Sequence, residues 1–263
     1  MVRLLLLSFF SSLLLTSCEA FEETPFSMGS RHLYLNNKNY QELLNSVPND
    51  SIVRFAFIGD TQRFYDDTEE AVEKINSIPG IDFTIISGDL TDFGLLYEFD
   101  QMDRILNKLH KPYFSVIGNH DIVANGLEIF KDYYGDLNTT IEYLNVKFLL
   151  FNTNGVSTGF DGTAPSMNWL KTQLDISTDN KWIIGVSHIP PNNVDFDPAI
   201  KSQYEETLSE YPNFLVSLHG HNHNMADWQT NGVDYINSSS TSKKELIVIT
   251  LSDTGYTKEV FEF

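Results

Sequence analysis

The ten residues VRFAFIGDTQ at positions 53–62 combine a strand-like run and a polar turn in one short segment. The apolar, β-branched and aromatic run Val53–Ile58 has the length and composition of a buried strand. Gly59 then permits a sharp bend, and Asp60 and Gln62 follow it closely. A strand that ends in glycine and a carboxylate is typical of a ligand-binding edge in an α/β sheet.

The same arrangement recurs further along the chain. Each recurrence places Asp, Asn or His directly after an apolar run. Because ligands bind outside the carboxyl ends of strands in α/β sheets, we expect these side chains to converge on one edge. The recurring segments are GDLTD at 88–92, GNHD at 118–121, SH at 187–188 and HGHNH at 219–223.

The periodicity of the remaining sequence predicts an α/β layer fold, since strands and helices alternate in its first half. The second half is richer in strands, so we expect a second sheet of more antiparallel character. The predicted strands are Val53–Ile58, Phe83–Ser87, Tyr113–Ile117, Val146–Phe151, Trp182–Val186, Phe214–Leu218, Val233–Ile236 and Leu246–Thr250. The predicted helices are Thr68–Ile78, Leu95–Leu109, Leu127–Tyr134 and Met167–Leu174.

Composition limits the classes of partner. The chain has 263 residues, 41% of them hydrophobic, which is enough for a sizeable core. It carries 17 Lys and Arg against 36 Asp and Glu, a formal net charge of −19. Such a surface repels the phosphate backbone, so we expect no nucleic-acid binding.

The N-terminus predicts export and lipid attachment. Arg3 precedes an apolar run, Leu4–Leu15, that suits a signal peptide and is too short to span a bilayer. The run leads into Thr16, Ser17 and Cys18, which resembles a bacterial lipobox, and Cys18 is the only cysteine. The alternative is an ordinary signal peptide with an incidental cysteine.

We therefore predict a lipoprotein signal peptide at 1–17, a lipid-anchored, irregular tether at 18–50 and a folded domain at 51–263. Lipidation of Cys18 predicts attachment to a bacterial membrane on its periplasmic or cell-surface side.

The polar residues of the turns indicate a metal site. Five of the seven histidines lie in these turns. Imidazole, carboxylate and amide oxygen form a ligand set without sulfur, which suits borderline or hard divalent ions.

The series of turns resembles the calcineurin-like metallophosphoesterases, whose pattern runs Asp-x-His, Gly-Asp-x-x-Asp/Glu, Gly-Asn-His-Asp/Glu, a lone His and Gly-His-x-His. The resemblance spans Asp60 to His223. It implies a four-layer α/β/β/α sandwich with two mixed β-sheets, in which residues 51–263 form the catalytic domain. It also implies a metal-dependent hydrolase of small phosphate monoesters or diesters. The implied cofactor is a pair of divalent ions (Mn, Fe, Zn, Mg or Ca) that hold a bridging hydroxide.

The resemblance further implies a role for each residue. The ligands implied for the first ion are Asp60, Gln62, Asp89 and His223. The ligands implied for the second ion are Asp89, Asn119, His188 and His221. His120 is expected beside the leaving group, with Asp121 orienting it. Asp92, His219 and Arg63 are expected behind the ligands or on the substrate side. The alternative for His219 is a purely structural packing role, and the alternative for Arg63 is a solvent-facing position.

One residue departs from the family pattern. Gln62 stands where the first motif has histidine, and a neutral amide oxygen is a weaker zinc ligand than imidazole. The alternative function is therefore a lipid-anchored binding module on the same fold, with a weakened metal site and little catalysis.

Overall fold

The computed structural model describes Ser27, residues 33–46 and residues 51–263. The predicted signal peptide at 1–17 and the lipidation site Cys18 lie outside the described residues. Across the part of the chain that is described, none of the helices is both long enough and apolar enough to span a membrane.

Five strands form the first sheet. They are β1 (Val53–Ile58), β2 (Phe83–Ile86), β3 (Tyr113–Ser115), β10 (Glu245–Ser252) and β11 (Gly255–Glu262). Their order is β11-β10-β1-β2-β3. The pairs β1–β2 and β2–β3 are parallel, whereas β10 pairs antiparallel with both β1 and β11.

Six strands form the second sheet, in the order β4-β5-β6-β7-β9-β8. They are β4 (Thr139–Tyr143), β5 (Val146–Leu150), β6 (Trp182–Val186), β7 (Phe214–His219), β8 (Ala226–Thr230) and β9 (Val233–Asn237). Its four central strands are parallel and its two edge strands antiparallel.

The expectation of a more antiparallel second sheet is therefore wrong, because the late strands β10 and β11 join the first sheet. Strand β10 is apolar on both faces. Leu246 and Val248 meet the helices, while Ile247 and Ile249 meet the other sheet. A strand buried on both faces belongs in a sheet interior, beside β1.

Helices cover the outer faces of both sheets and the β3 edge of the first sheet. They are α1 (Leu35–Asn45), α2 (Tyr65–Ser77), α3 (Leu96–Leu106), α4 (Gly126–Tyr134), α5 (Met167–Asp175) and α6 (Lys201–Ser209). Along β1, Ala56 and Ile58 contact the layer of α2, α3 and α4, whereas Phe55 and Phe57 contact the second sheet. Helices α5 and α6 pack on the far side of the second sheet. The predicted four-layer α/β/β/α sandwich is confirmed.

Helix α1 lies where the sequence predicts an irregular tether. Asn36 donates to the backbone oxygen of Ser115 at 2.9 Å and accepts from its N–H at 3.0 Å. Asn39 donates to the backbone oxygen of Tyr113 at 2.7 Å. These amides occupy the open edge of β3, whose polar groups would otherwise be buried without partners. The helix was missed because its buried face carries asparagine, which the hydrophobic pattern does not record.

The parallel strands of both sheets end on the same side of the sandwich. The turn after β1 meets the segment after β9 through a backbone bridge between Gly59 and Ser240. The backbone N–H of His221, after β7, donates to both carboxylate oxygens of Asp60 at 3.0 Å. The strand ends that carry the predicted site residues thus face one another.

Candidate metal centre

Four residues of the candidate centre have left-handed backbone conformations. Their φ angles are 50° at Asp60, 53° at Asp89, 71° at His221 and 55° at His223. Such angles are uncommon outside glycine and concentrate where a turn must aim a side chain at a functional site.

Glycines beside these residues allow the turns to approach closely. A Cβ atom at Gly118 would lie 2.1 Å from Oδ1 of Asp89, and one at Gly220 would lie 2.8 Å from Oδ2 of Asp60. Only glycine therefore permits the loop after β3 to rest against Asp89.

One cluster of potential metal ligands contains Asp60, Asp89 and His223, with one ligand atom from each within 4.8 Å of the others. The Nε2 atom of His223 lies 3.4 Å from Oδ1 of Asp60. Gln62 is buried beside them, and its backbone N–H donates to the backbone oxygen of Asp89 at 3.0 Å. Within the described part of the chain, its side-chain Oε1 atom has no hydrogen-bond partner. A buried amide oxygen without a donor fits the role of a metal ligand.

A second cluster contains Asp89, His188 and His221. The Oδ1 atom of Asn119 lies 3.1 Å from Nε2 of His188 and 2.9 Å from Nδ1 of His221. The Nδ1–H of His188 donates to the backbone oxygen of Ser87 at 2.6 Å, which leaves the Nε2 lone pair free in the neutral ring. Lone pairs of nitrogen and oxygen therefore converge, as they do around a cation.

Asp89 belongs to both clusters, as expected of a ligand that bridges two ions. The structure brings five of the seven predicted ligands into these clusters. Of the other two, Asn119 lies within hydrogen-bond distance of both histidines of the second cluster, and Gln62 lies in the turn beside the first. The donor set is nitrogen and oxygen throughout, which fits the predicted divalent ions.

The charges of the two clusters are strongly coupled. Burial raises the pKa of Asp60 to about 8, and the neighbouring Asp89 adds to the rise. Burial disfavours the charged form of His188, but the Asp89 and Asp60 carboxylates outweigh it and raise its pKa to about 9. Burial and the positive His188 lower the pKa of His221 to about 4. The carboxylates therefore stabilise positive charge at this site. A bound divalent cation would supply that charge in place of the proton on His188.

The predicted leaving-group histidine stands beside the clusters. The Nδ1 atom of His120 lies 2.9 Å from the backbone oxygen of Asp92. Because a carbonyl oxygen only accepts, Nδ1 carries the hydrogen and Nε2 is left for a substrate.

Asp121 is expected to orient the ring of His120, but among the described residues no hydrogen bond joins its carboxylate to that ring. Its carboxylate accepts from the backbone N–H and hydroxyl of Thr91 and from the N–H of Gly118, each at 2.9 Å. Burial raises its pKa to about 6, with the nearby Asp89 adding to the rise. Asp121 thus ties the loop after β2 to the loop after β3, and the ring of His120 is held by Asp92.

The side chains of Arg63 and His219 occupy different environments. Arg63 is exposed at the rim, where its guanidinium pairs with the carboxylate of Asp92. His219 is completely buried between the hydroxyls of Ser187 and Ser217, at 3.1 and 2.9 Å. Its ring stacks on Tyr235 with the centroids 5.9 Å apart. His219 is therefore a packing residue of the second sheet and belongs to neither ligand cluster.

One contact of the site has no signal in the sequence. The carboxylate of Asp195 lies 3.0 Å from Nε2 of His221. Asp195 lies within the Pro- and Asn-rich loop after β6, well beyond the strand end itself, so no motif distinguishes it from other surface acids.

Comparison with known proteins agrees with this geometry. Residues 53–225 match the family model described as calcineurin-like phosphoesterase. A 3',5'-cyclic-nucleotide phosphodiesterase from Nostoc sp. is 25% identical over 169 residues, which cover 62% of this chain and 64% of that protein. A probable cyclic nucleotide phosphodiesterase from Ruthia magnifica is 30% identical over 178 residues, covering 64% and 74%. The chain thus spans less than two thirds of the length of the Nostoc relative.

Solved structures share the fold. The Plasmodium protein GAP50, described as the anchor in the inner membrane complex, superposes with a TM-score of 0.63 at 16% identity. The superposition covers 80% of this chain and 84% of that one.

Proposed function

The chain belongs to the calcineurin-like phosphoesterase family, and from that premise we propose that it hydrolyses phosphate esters at a centre of two divalent metal ions. The observation that carries the proposal is the position of Asp89 in both ligand clusters. The first ion would be held by Asp60, Gln62, Asp89 and His223, and the second by Asp89, Asn119, His188 and His221. When bound, such a pair of ions would neutralise charge on the phosphoryl oxygens and would supply hydroxide as the nucleophile at neutral pH.

His120 would deliver a proton to the departing oxygen. Its Nδ1–H is already engaged with the backbone oxygen of Asp92, so the proton must leave from Nε2. The ring keeps its Nδ1–H after the transfer, so it need not change its hydrogen bond. The backbone N–H of His120 donates to Oδ1 of Asp89 at 3.0 Å, which places the general acid beside the bridging ligand.

We propose small phosphodiesters as the first substrate class to test. The relatives from Nostoc sp. and Ruthia magnifica are both named as phosphodiesterases. The net charge of −19 disfavours long nucleic-acid chains. Phosphate monoesters form the comparison class.

The test joins metal analysis to an activity screen. Chain purified without chelator should contain up to two divalent ions and should hydrolyse bis(4-nitrophenyl) phosphate faster than 4-nitrophenyl phosphate, with Mn²⁺, Zn²⁺, Mg²⁺ and Ca²⁺ compared. Asp89→Ala should reduce the occupancy of both sites and abolish turnover. Asp253→Asn, in the exposed turn between β10 and β11, is the control for lost surface charge.

Full activity and both ions in Asp89→Ala would refute the proposed centre. Two bound ions without turnover of any ester would instead favour the binding-module alternative.

Anchoring through Cys18 is a separate proposal, supported by the lipobox-like Leu15-Thr16-Ser17-Cys18. A single acyl chain holds a protein only marginally, whereas lipidation with several chains anchors it stably. The full chain expressed in a bacterium should incorporate labelled fatty acid and partition into detergent, and Cys18→Ser should abolish both. A soluble mature wild-type chain that begins at another residue would contradict the proposal.

A further inference from the structure

The two histidines of the second cluster present opposite nitrogens to it. His188 donates through Nδ1 to the backbone oxygen of Ser87 and turns Nε2 inward. His221 does the reverse, with Nε2 lying 3.0 Å from the carboxylate of Asp195 and Nδ1 lying 3.3 Å from Nε2 of His188. Because a carboxylate accepts, the hydrogen of His221 resides on Nε2 and the lone pair on Nδ1 faces the cluster.

Hydrogen bonds to two neighbouring segments hold the loop of Asp195 in place. Its backbone N–H donates to the side-chain oxygen of Asn193 at 2.9 Å. The Asn193 side chain donates in turn to the side-chain oxygen of Asn222, the neighbour of His221, at 2.7 Å. On the other side, the backbone oxygen of Asp195 accepts from the N–H of Val156 at 3.1 Å.

These bonds fix the loop of Asp195 relative to His221 from two directions. The carboxylate is therefore positioned before any ligand binds. It is also partly exposed, with 37% of its side chain accessible, and it belongs to neither ligand cluster.

We propose that Asp195 is a positioning residue for the second metal site. Its carboxylate fixes the orientation and the N–H tautomer of His221, so that Nδ1 is the ligand atom. Hydrogen-bonded carboxylates behind metal-binding imidazoles orient the ring and raise its basicity. The inference rests on the proposed two-metal function, and it assigns a role to a residue that belongs to neither ligand cluster.

The experiment measures metal binding, not turnover. Wild type, Asp195→Ala, Asp195→Asn and the charge control Asp253→Asn are stripped with chelator and titrated with Mn²⁺ by calorimetry. His223→Ala and His188→Ala assign the two binding steps, since each removes a ligand of one site only. In the metal-free wild type, long-range ¹H–¹⁵N NMR should show the His221 hydrogen on Nε2.

Asp195→Ala should weaken the second step about 10–100-fold and leave the first unchanged. Asp195→Asn should weaken the second binding step less than Asp195→Ala does, because its amide oxygen can still accept the hydrogen bond from Nε2–H of His221. Asp253→Asn should match the wild type. Equal melting temperatures of the metal-free variants would show that the fold is intact.

Three results with the Asp195 variants would overturn the inference. One is wild-type affinity at both sites in Asp195→Ala, and another is equal weakening of both sites. The third is a loss of second-site affinity in Asp195→Asn as large as in Asp195→Ala, which would show that accepting the Nε2–H hydrogen bond is not what this site requires of residue 195. A wild-type chain that binds fewer than two ions would overturn the proposed function together with this inference, whereas two ions with an unaffected Asp195→Ala would overturn this inference alone.

Discussion

The Nδ1 atom of His120 lies 2.9 Å from the backbone oxygen of Asp92, which leaves Nε2 as the ring atom that can meet a substrate. His120→Ala should therefore lower kcat by about 10²–10⁴-fold, the usual contribution of a general acid. The loss should be smaller for nitrophenyl esters, because nitrophenolate leaves without needing a proton. Steady-state kinetics with good and poor leaving groups would measure the difference.

The matched control is His110→Ala, which removes an exposed imidazole from the segment that precedes β3. It should leave kcat and metal content unchanged. If His120→Ala lost the same factor with good and poor leaving groups, the acid role would have to be abandoned.

Gln62 is the proposed ligand of the first metal site that departs from the family pattern. Its Oε1 atom is buried without a hydrogen-bond partner in the described structure, and a neutral amide oxygen suits Mn²⁺ or Mg²⁺ better than Zn²⁺. Added Mn²⁺ should therefore raise activity, and the first site should lose metal before the second. Gln62→His should tighten first-site binding, and Gln62→Ala should weaken it.

Titration of the three metal-free proteins with Mn²⁺ measures these differences. Identical binding curves for wild type, Gln62→His and Gln62→Ala would show that residue 62 is not a ligand.

Helix α1 should contribute to the stability of the folded domain through Asn36. Asn36→Ala removes two hydrogen bonds to Ser115 and leaves its buried backbone N–H and C=O without those partners. Each buried group left unsatisfied costs about 1–3 kcal/mol. Asn37→Ala, on the exposed side of the same helix, is the matched control for helix propensity. Urea unfolding should show a lower free energy of unfolding for Asn36→Ala and no change for Asn37→Ala. Equal unfolding midpoints for wild type and Asn36→Ala would refute the docking role of α1.

The stability of the metal-free protein should depend on pH through His219. Burial, with a contribution from His188, lowers its pKa to about 3 from an ordinary value of 6.5. Between these values the unfolded chain binds a proton that the folded chain excludes, so the free energy of unfolding rises with pH and falls as pH drops below 6.5. The slope from this group is at most about 1.4 kcal/mol per pH unit.

His219→Asn removes this titration. Its free energy of unfolding should be lower near neutral pH, since the stacking on Tyr235 is lost, but it should change less with pH across the acidic window. Denaturant unfolding at a series of pH values measures both slopes. Parallel curves for the two proteins would mean that His219 does not titrate as its burial requires.

The sequence predicted the strand–turn units well because each unit is local. An apolar run of strand length followed by glycine and a polar residue identifies both the strand and its ligand-bearing end. Strands β1 and β6 have the predicted bounds, and six others differ by one or two residues at their ends. The strands β4, β8 and β11 were not predicted. The convergence of Asp60, Asp89 and His188 followed from the rule for parallel strand ends, without knowledge of the sheet order.

The roles of single side chains around the ligands were less predictable. The sequence predicted Asp92, Asp121 and His219 near the site. Only their contacts show that Asp92 bonds His120, that Asp121 connects two loops and that His219 packs in the second sheet. Those contacts depend on the distance and angle at which two loops meet, and neither is recorded in the spacing of a motif.

By itself, the sequence determined the kind of chemistry: which strands end in carboxylate, amide or imidazole, and therefore which ions they suit. Tertiary structure alone decided that β10 lies beside β1 and that α1 covers the edge of β3. It also decided that the carboxylate of Asp195 contacts His221, 26 residues away in the sequence. The physical reason is that strand and turn preferences arise from neighbouring residues, whereas pairing between distant segments is selected by burial and hydrogen bonding across the whole fold.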